Sequence, residues 1–489
     1  MSEGESLTRQ ASRGAAWSLA SNVAVSAISF IGTAILARML TPKDFGLMGM
    51  AALVTSIVSL FGNFGLGAAL VQKKDATEED FSTAFWANCA TGAALMFICV
   101  IGSPLASLFF HEKNVQWILI LLSFNFMLAA LCSVHSTRIL KRVHMKPMAL
   151  IEVGGRIFRV GIMLVAAFCG MSFWSIVIGM IVERLFKTVA FIILDPWRPG
   201  YIFSMQKFRE MFRFGRNILG GEFLAYLNVN MDFIVTGRVL GADLLGFYQM
   251  AYNLPHLLKD YVSGSIGTVA FPVFCKVQDD NDRLVKGYLK IVKFIALATF
   301  PVLAGLVFTA HDFIFVAYGE RWLPAVVPLQ ILCFCAAFAS VNSIVGFLLY
   351  AKGRPDLGFK WECVRLPATI IAILIGVHFG GIVGVAWGML VIEFFSIVMV
   401  WLIFRILNNS FSRYWSAILP ATVACGVMTG ALVSINGIHL INGMTPWLRL
   451  ITEFVVGTGI YVLVIVFGFK TVFKEAVDFV KHSSGRTSQ

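Results

Sequence analysis

Apolar runs of roughly 20 residues recur from one end of this 489-residue chain to the other, and each suffices to cross about 30 Å of hydrocarbon as a helix. Hydrocarbon offers the backbone no hydrogen bonds, so a spanning segment must pair its own amides and carbonyls, as helices do. The runs are continuous rather than alternating, which excludes a lipid-facing barrel. With 58% hydrophobic and 13% charged residues, the chain carries more apolar surface than a soluble domain of its size could bury. The expected fold is an all-α integral membrane protein of about fourteen transmembrane helices, the first near 16–38 and the last near 446–468. The start, "MSEGESLTRQASRGAAW", passes from a polar tail straight into a full-length apolar segment, so the first helix is expected to be retained. The nine cysteines are scattered through apolar runs and read as packing residues, including the near neighbours Cys333 and Cys335.

Lys and Arg accumulate in cytoplasmic loops, so their distribution sets the orientation. With the N-terminus inside, about 29 of the 39 fall in inside segments, counting Arg184 and Lys187 toward the inner end of the sixth span. About six fall outside (Arg38, Lys43, Lys113, Arg238, Arg321 and Arg449) and four within spans (Arg156, Arg159, Lys259 and Arg365). Both termini are therefore expected in the cytoplasm. The net charge of +12 is a matter of topology and does not indicate a nucleic-acid partner.

A phrase occurs twice. "ARMLTPKDFGLMGMA" begins at Ala37 and "GRVLGADLLGFYQMA" at Gly237, and without a gap Arg38 meets Arg238, Leu40 Leu240, Gly46 Gly246, Met50 Met250 and Ala51 Ala251. Further on, "KPMALIEVGGRIFR" answers "RPDLGFKWECVRLP", and "IGMIVE" answers "WGMLVIE". A repeat of this period is the mark of a duplicated bundle, and six spans per copy enter the membrane in the same direction. The expected organisation is a cytoplasmic tail (1–15), an N-lobe of six helices (16–195), a cytoplasmic linker (196–213), a C-lobe of six (214–406), two further helices (407–469) and a cytoplasmic tail (470–489).

Polar residues fall on single helical faces. Asn22, Ser26 and Ser29 share one face of the first helix with Ser18 and Thr33; Asn228 and Asp232 share one on the seventh. Gln249, Asn253, His256, Asp260 and Ser263 form a stripe on the eighth, where Lys259 is a further ionisable residue, and Ser56, Ser59 and Asn63 form one on the second. Such stripes serve either as interhelical hydrogen-bonding glue or as the wall of a hydrated cavity between the repeats. Among the other ionisable residues at membrane depth, the spacing lets Glu152 pair with Arg156 and Glu362 with Arg365 along their own helices, and leaves Arg159 without a partner. Arg38 and Arg238, at outer helix ends, either snorkel to headgroups or contact substrate.

No "GxxxxGK[ST]" loop is present, so the chain does not itself hydrolyse a nucleotide. Asp280 and Asp282 have the spacing of a metal-dependent glycosyltransferase motif but read as a solvated turn, and the isolated histidines offer no metal cluster. No catalytic constellation and no cofactor are expected.

The segments "RGAAW", "LARMLTPKDFGLMGMA", "GLGAALVQKKDATEEDFSTAFW", "PWRP", "FRFG", "GRVLGADLLGFYQMAYNLP", "FPVFCKVQDD", "GERWLP" and "AKGRPDL" keep their order from about residue 13 to 360. Together they resemble the polysaccharide transporter branch, Wzx-type and colanic-acid-exporter-like, of the multidrug/oligosaccharidyl-lipid/polysaccharide flippase superfamily. The resemblance implies a flippase that moves an undecaprenyl-pyrophosphate-linked oligosaccharide, or a related envelope polysaccharide precursor, across the bacterial inner membrane by alternating access. It also implies a V-shaped cavity lined by helices 1, 2, 7 and 8, with cations holding the phosphates. Lys259, Arg38, Arg238, Arg156, Arg159 and Arg365 are the available cations. Partners implied are membrane lipids, the lipid-linked oligosaccharide, and a polysaccharide polymerase with export machinery. Coupling to Na⁺ or H⁺ stays open, as do two other readings: a cation-coupled multidrug exporter and a membrane glycosyltransferase or polymerase.

Overall fold

The computed structural model describes residues 3–62, 66–73, 75–142, 145–437, 444–470 and 474–475, and among these the regular structure is entirely helical. In chain order the helices are α1 (Glu3–Met39), α2 (Pro42–Leu60), α3 (Leu66–Gln72), α4 (Glu78–Phe110), α5 (Lys113–Lys141), α6 (Met145–Phe168) and α7 (Trp174–Leu194). There follow α8 (Met205–Lys276), α9 (Asn281–Ala317), a 3-10 turn (Glu320–Ala325), α10 (Val326–Asn342), α11 (Val345–Ala351), α12 (Pro355–Ile406), α13 (Ser412–Gly437) and α14 (Pro446–Gly468).

Among the described residues nine helical stretches are long and apolar enough to cross a membrane. One of them, α12, is a hairpin. Its backbone leaves helical geometry at Gly380 and Gly381, the latter at φ 53°, a conformation that favours glycine. Beyond the turn the two arms press backbone on backbone, since a Cβ on Gly384 would lie 1.8 Å from the Gly376 carbonyl oxygen. The 72 residues of α8 likewise form two helices that meet at Gly241, φ 82°.

Local sequence sets the helix starts. "TPKD" and "TEED" build the same capping box: the carboxylates of Asp44 and Asp80 accept from the backbone N–H of Thr41 and Thr77, each at 2.8 Å. Both threonine hydroxyls accept in return from the N–H three residues on. Asp280 caps α9 by accepting from the N–H of Arg283 at 3.0 Å, so the aspartate pair begins a helix, as a polar turn would. Cys333 and Cys335 are buried on α10.

The chain divides into two compact units, Met1–Gly246 and Phe247–Gln489. The boundary falls inside α8 rather than in the 196–213 linker. In unit 1, Leu36, Leu47, Met50, Ile118, Leu119, Val177, Ala242 and Leu245 form one buried cluster, so the start of the second α8 helix belongs to the same core as α1, α2, α5 and α7. Tyr226 joins the first α8 helix to it by donating to the Leu53 carbonyl of α2 at 2.9 Å. The linker is tied down as well. Asp195 accepts from Arg138 at 2.9 Å, Trp197 donates to Glu78 at 2.6 Å, and the N–H groups of Gly200 and Ser204 bond to Ser82 and Thr83. Unit 2 has its own core, in which Phe274, Tyr288, Phe404 and Tyr414 are nearly or fully buried.

The duplicated phrase explains part of unit 1. A Cβ on Gly46 would stand 1.8 Å from the Ala242 carbonyl oxygen, and one on Gly246 would stand 2.0 Å from the Pro42 carbonyl oxygen. Positions 42 and 242, like 46 and 246, correspond in the repeat, so each copy packs its glycine on the other's helix start. Gly46→Ala is expected to destabilise the protein by about 1–3 kcal/mol through overpacking. Gly305→Ala, where an added Cβ meets nothing within 4 Å, serves as the control and should not lower stability. Thermal unfolding in detergent checks the contrast, and equal melting temperatures would contradict it.

Candidate functional site

Unit 1 holds a partly open cavity of about 630 Å³ whose wall comes from five helices. Thr55, Ser56 and Ser59 face it from α2, Asn88 and Thr91 from α4, and Asn125 and Ser133 from α5. Arg156 and Arg159 enter from α6, and Glu183, Arg184 and Lys187 from α7. Asn125, Ala129 and Ser133 recur every fourth residue and so line one helical face.

The charged wall is built by a close crossing of α6 and α7. A Cβ on Gly179 would lie 2.2 Å from Met163 Cγ, so only glycine lets the helices approach this far. One turn beyond, Glu183 is 7% exposed and collects three cations. Arg159 Nη1 lies 3.2 Å away, Arg156 Nη2 3.6 Å and Lys187 Nζ 2.9 Å. Lys187 also reaches Glu152 at 2.6 Å. The expected pairing of Glu152 with Arg156 along one helix is therefore corrected: each finds its partner on α7, because the crossing offers a buried partner between helices. Arg159, expected to stand alone, shares Glu183. On the cavity wall two buried positions have no hydrogen-bond partner among the described residues: the Arg156 Nε–H and the Asn125 Oδ1. The Arg184 guanidinium makes no hydrogen bond or ion pair there.

Unit 2 repeats the pattern in simpler form. Arg365 Nη2 meets Glu393 at 2.9 Å, again between helical arms, and its charge also acts on Glu362, the partner expected along its own helix. Glu183 closes "IGMIVE" and Glu393 closes "WGMLVIE", so the sequence repeat is also a repeat of ion pairs.

The remaining sequence candidates are placed as follows. On α1, Asn22 is exposed while Ser26 and Ser29 are half-buried, Ser29 donating to the Val25 carbonyl at 2.6 Å. Asn63 lies outside the described residues. Asn228 and Asp232 on α8 are 2% and 0% exposed, with Asp232 accepting from the Phe233 N–H at 2.9 Å. Arg38 is exposed at the end of α1. Arg238 contacts both ring nitrogens of His111, with its guanidinium 5.5 Å above the Phe109 ring. In unit 2, Gln249 is half-buried and Asn253 exposed. His256 stacks on Tyr252 at 3.4 Å and bonds its carbonyl at 3.1 Å. Lys259 pairs with the exposed Asp260 at 3.0 Å. The cavity thus gathers Arg156 and Arg159 with the Ser56 and Ser59 stripe. Asn88, Asn125, Arg184 and Lys187 join them, none of which the stripes had singled out.

Removal of Glu183 should be costly. Glu183→Ala removes the buried carboxylate that three half-buried cations share and is expected to destabilise by about 1–3 kcal/mol. Glu152→Ala removes a carboxylate that is 45% exposed and should cost about 0–1 kcal/mol. Unfolding of the purified variants separates the two, and similar losses would refute the hub role of Glu183.

The comparisons agree with this architecture. Residues 35–327 match the family described as polysaccharide biosynthesis protein. The teichuronic acid biosynthesis protein TuaB of Bacillus subtilis is 29% identical over 467 residues, 94% of this chain and 96% of its own. The lipopolysaccharide biosynthesis protein WzxC of Escherichia coli is 26% identical over 84% of each chain. The succinoglycan biosynthesis transport protein ExoT of Rhizobium meliloti is 23% identical over 97% of each. Among solved structures, the lipid II flippase MurJ in an inward closed conformation superposes with a TM-score of 0.73 at 14% identity, covering 94% of this chain and 99% of that one. The fold is that of the multidrug/oligosaccharidyl-lipid/polysaccharide flippases, and the chain belongs to the polysaccharide biosynthesis protein family.

Proposed function

We propose that this protein is a flippase that carries a lipid-linked oligosaccharide, of the undecaprenyl-pyrophosphate type or a related envelope polysaccharide precursor, across the bacterial inner membrane by alternating access. The observation that carries the reading is the cavity, lined in part by charged and polar side chains, inside an all-helical membrane bundle of this family. A sugar headgroup in hydrocarbon would leave its polar groups unpaired at several kcal/mol apiece, about 2–7 for each, and a polar wall removes that cost. The membership of the family, the transport and envelope-glycan names of its relatives, and the flippase fold support the same conclusion. The protein is a transporter rather than an enzyme. A cation-seeking drug exporter is disfavoured by a cavity in which four cations face one carboxylate.

The membrane potential is one driving force that needs no coupled ion. An inside-negative potential favours outward movement of an anion by about 2.3 kcal/mol per charge per 100 mV, without a nucleotide. The Lys and Arg distribution supports a cytoplasmic position for both termini, and a polymerase with export machinery would receive the product outside. The polar residues Asn22, Ser26, Ser29, Asn228, Asp232, Gln249, Asn253, His256, Lys259 and Asp260 are proposed contacts along the route.

Purified protein in liposomes is expected to move a fluorescent polyprenyl-pyrophosphate oligosaccharide between leaflets without ATP, read by an impermeant quencher; a rate equal to that of protein-free liposomes would refute the transport reading. For orientation, Cys169 is exposed in the turn between α6 and α7. In a variant whose other cysteines are serine, an impermeant maleimide should label it in intact spheroplasts. Labelling only after lysis would reverse the topology.

A further inference from the structure

The segment between α7 and α8 turns its polar groups toward unit 1 and its apolar side chains away. Asp195 meets Arg138 and Arg142, the Trp197 indole donates to Glu78, and Lys207 reaches Glu79 at 2.8 Å. Gly200 is held twice, its N–H donating to the Ser82 hydroxyl and its carbonyl accepting from the Trp86 indole at 2.9 Å. On the other side Tyr201, Ile202 and Phe203 are three exposed apolar residues in a row, Tyr201 96% exposed, and Met205 adds a fourth at the start of α8. A run of this kind facing water is a defect unless something covers it.

Depth and charge identify the cover. With 33 residues, α4 is about 50 Å long and, when centred, exceeds about 30 Å of hydrocarbon by about 10 Å at each end. Trp86 lies about 12 Å along it from Glu78, close to the hydrocarbon edge where tryptophan and tyrosine collect. The Tyr201 ring stacks on Trp86 with centroids 6.0 Å apart, which brings the exposed run to the same level. The acids nearby are occupied, Glu78 by Trp197 and Arg138, and Glu79 and Asp80 by Lys207. Arg198 and Arg209 flank the run, are exposed, and make no ion pair among the described residues. Aromatic and apolar side chains set between free cations suit an element lying among headgroups, and the cations suit headgroups that are anionic.

We propose that the 196–209 segment is an interfacial anchor, with Tyr201, Ile202, Phe203 and Met205 seated in the leaflet at the start of α4 and with Arg198 and Arg209 binding its anionic phospholipid. In the orientation proposed above this is the cytoplasmic leaflet. The anchor fixes the chain that leads into α8 at the membrane surface, and it depends on neither the cargo nor its translocation. Each arginine close to an anionic surface contributes about fivefold in binding.

A polarity-sensitive fluorophore on Ile202→Cys tests the seating in full-length protein held in phosphatidylcholine nanodiscs, in a background with Cys169, Cys275 and Cys363 replaced by serine. The same label on Asp75→Cys, in the exposed turn before α4, is the aqueous control. Nitroxide-headgroup lipid should quench the label at position 202 strongly and the label at position 75 weakly. Equal quenching would put the segment in water, leave the patch to another occupant such as a partner protein, and overturn the proposal. The charge is tested by titrating the detergent-purified protein labelled at position 202 with short-chain phosphatidylglycerol and with short-chain phosphatidylcholine. Arg198→Gln together with Arg209→Gln should weaken phosphatidylglycerol by about tenfold or more and leave both phosphatidylcholine binding and the melting temperature unchanged. Lysine at both positions should retain most of the binding, which keeps the test decisive if the glutamine pair folds poorly. Equal phosphatidylglycerol binding by the parent and the glutamine pair would overturn the anionic partner. Neither result bears on whether the protein moves a glycan.

Discussion

A carboxylate taken out of water at the middle of a bilayer must be met by cations and hydrogen bonds or it will not stay ionised. Glu183 is met by Arg156, Arg159 and Lys187, and this cluster ties α6 to α7 where Gly179 lets them cross closely. Because those helices are held together there, the cavity has a rigid charged side against which α2, α4 and α5 set their polar residues. Hydrophobic packing alone would join two apolar helices no more strongly than lipid does, so such polar contacts carry unusual weight in a membrane bundle.

Much of this was legible in the residues. Length and continuity of the apolar runs lead directly to helices, because hydrocarbon admits few other backbones. The duplicated phrase and the "IGMIVE" and "WGMLVIE" pair point to two related bundles, and the ion pairs ending at Glu183 and Glu393 fall at matching places in those segments. The partners were not legible. Spacing along a helix makes Glu152 and Arg156 neighbours, but a buried partner on another helix wins, and which helix lies alongside is a tertiary fact. Arg184 and Lys187 were reckoned with the inner loops because cations near span ends usually follow the topology rule. Their helix instead turns both toward the cavity. Asn125 and Ser133 were hidden for a different reason: polar residues four apart in an apolar helix serve as glue as readily as lining.

The two units treat the same inherited motif differently. In unit 2, Arg365 has a carboxylate of its own in Glu393, and Asn342 and Tyr414 extend the network by hydrogen bonds to the Glu393 carbonyl and to one another. In unit 1 the corresponding glutamate serves three cations with a fourth nearby. Duplication thus supplied a scaffold whose charge could be altered in one copy while the other kept a balanced pair.

The reciprocal seat of Gly46 on Ala242 and of Gly246 on Pro42 bears on how such a chain can evolve. Most of the two copies has drifted apart, yet each glycine is pinned by a carbonyl of the opposite copy. A side chain gained at one would force apart backbone that the other also uses. The gapless resemblance between the halves therefore falls where each backbone rests on the other, so that a change in one stretch is answerable to its counterpart.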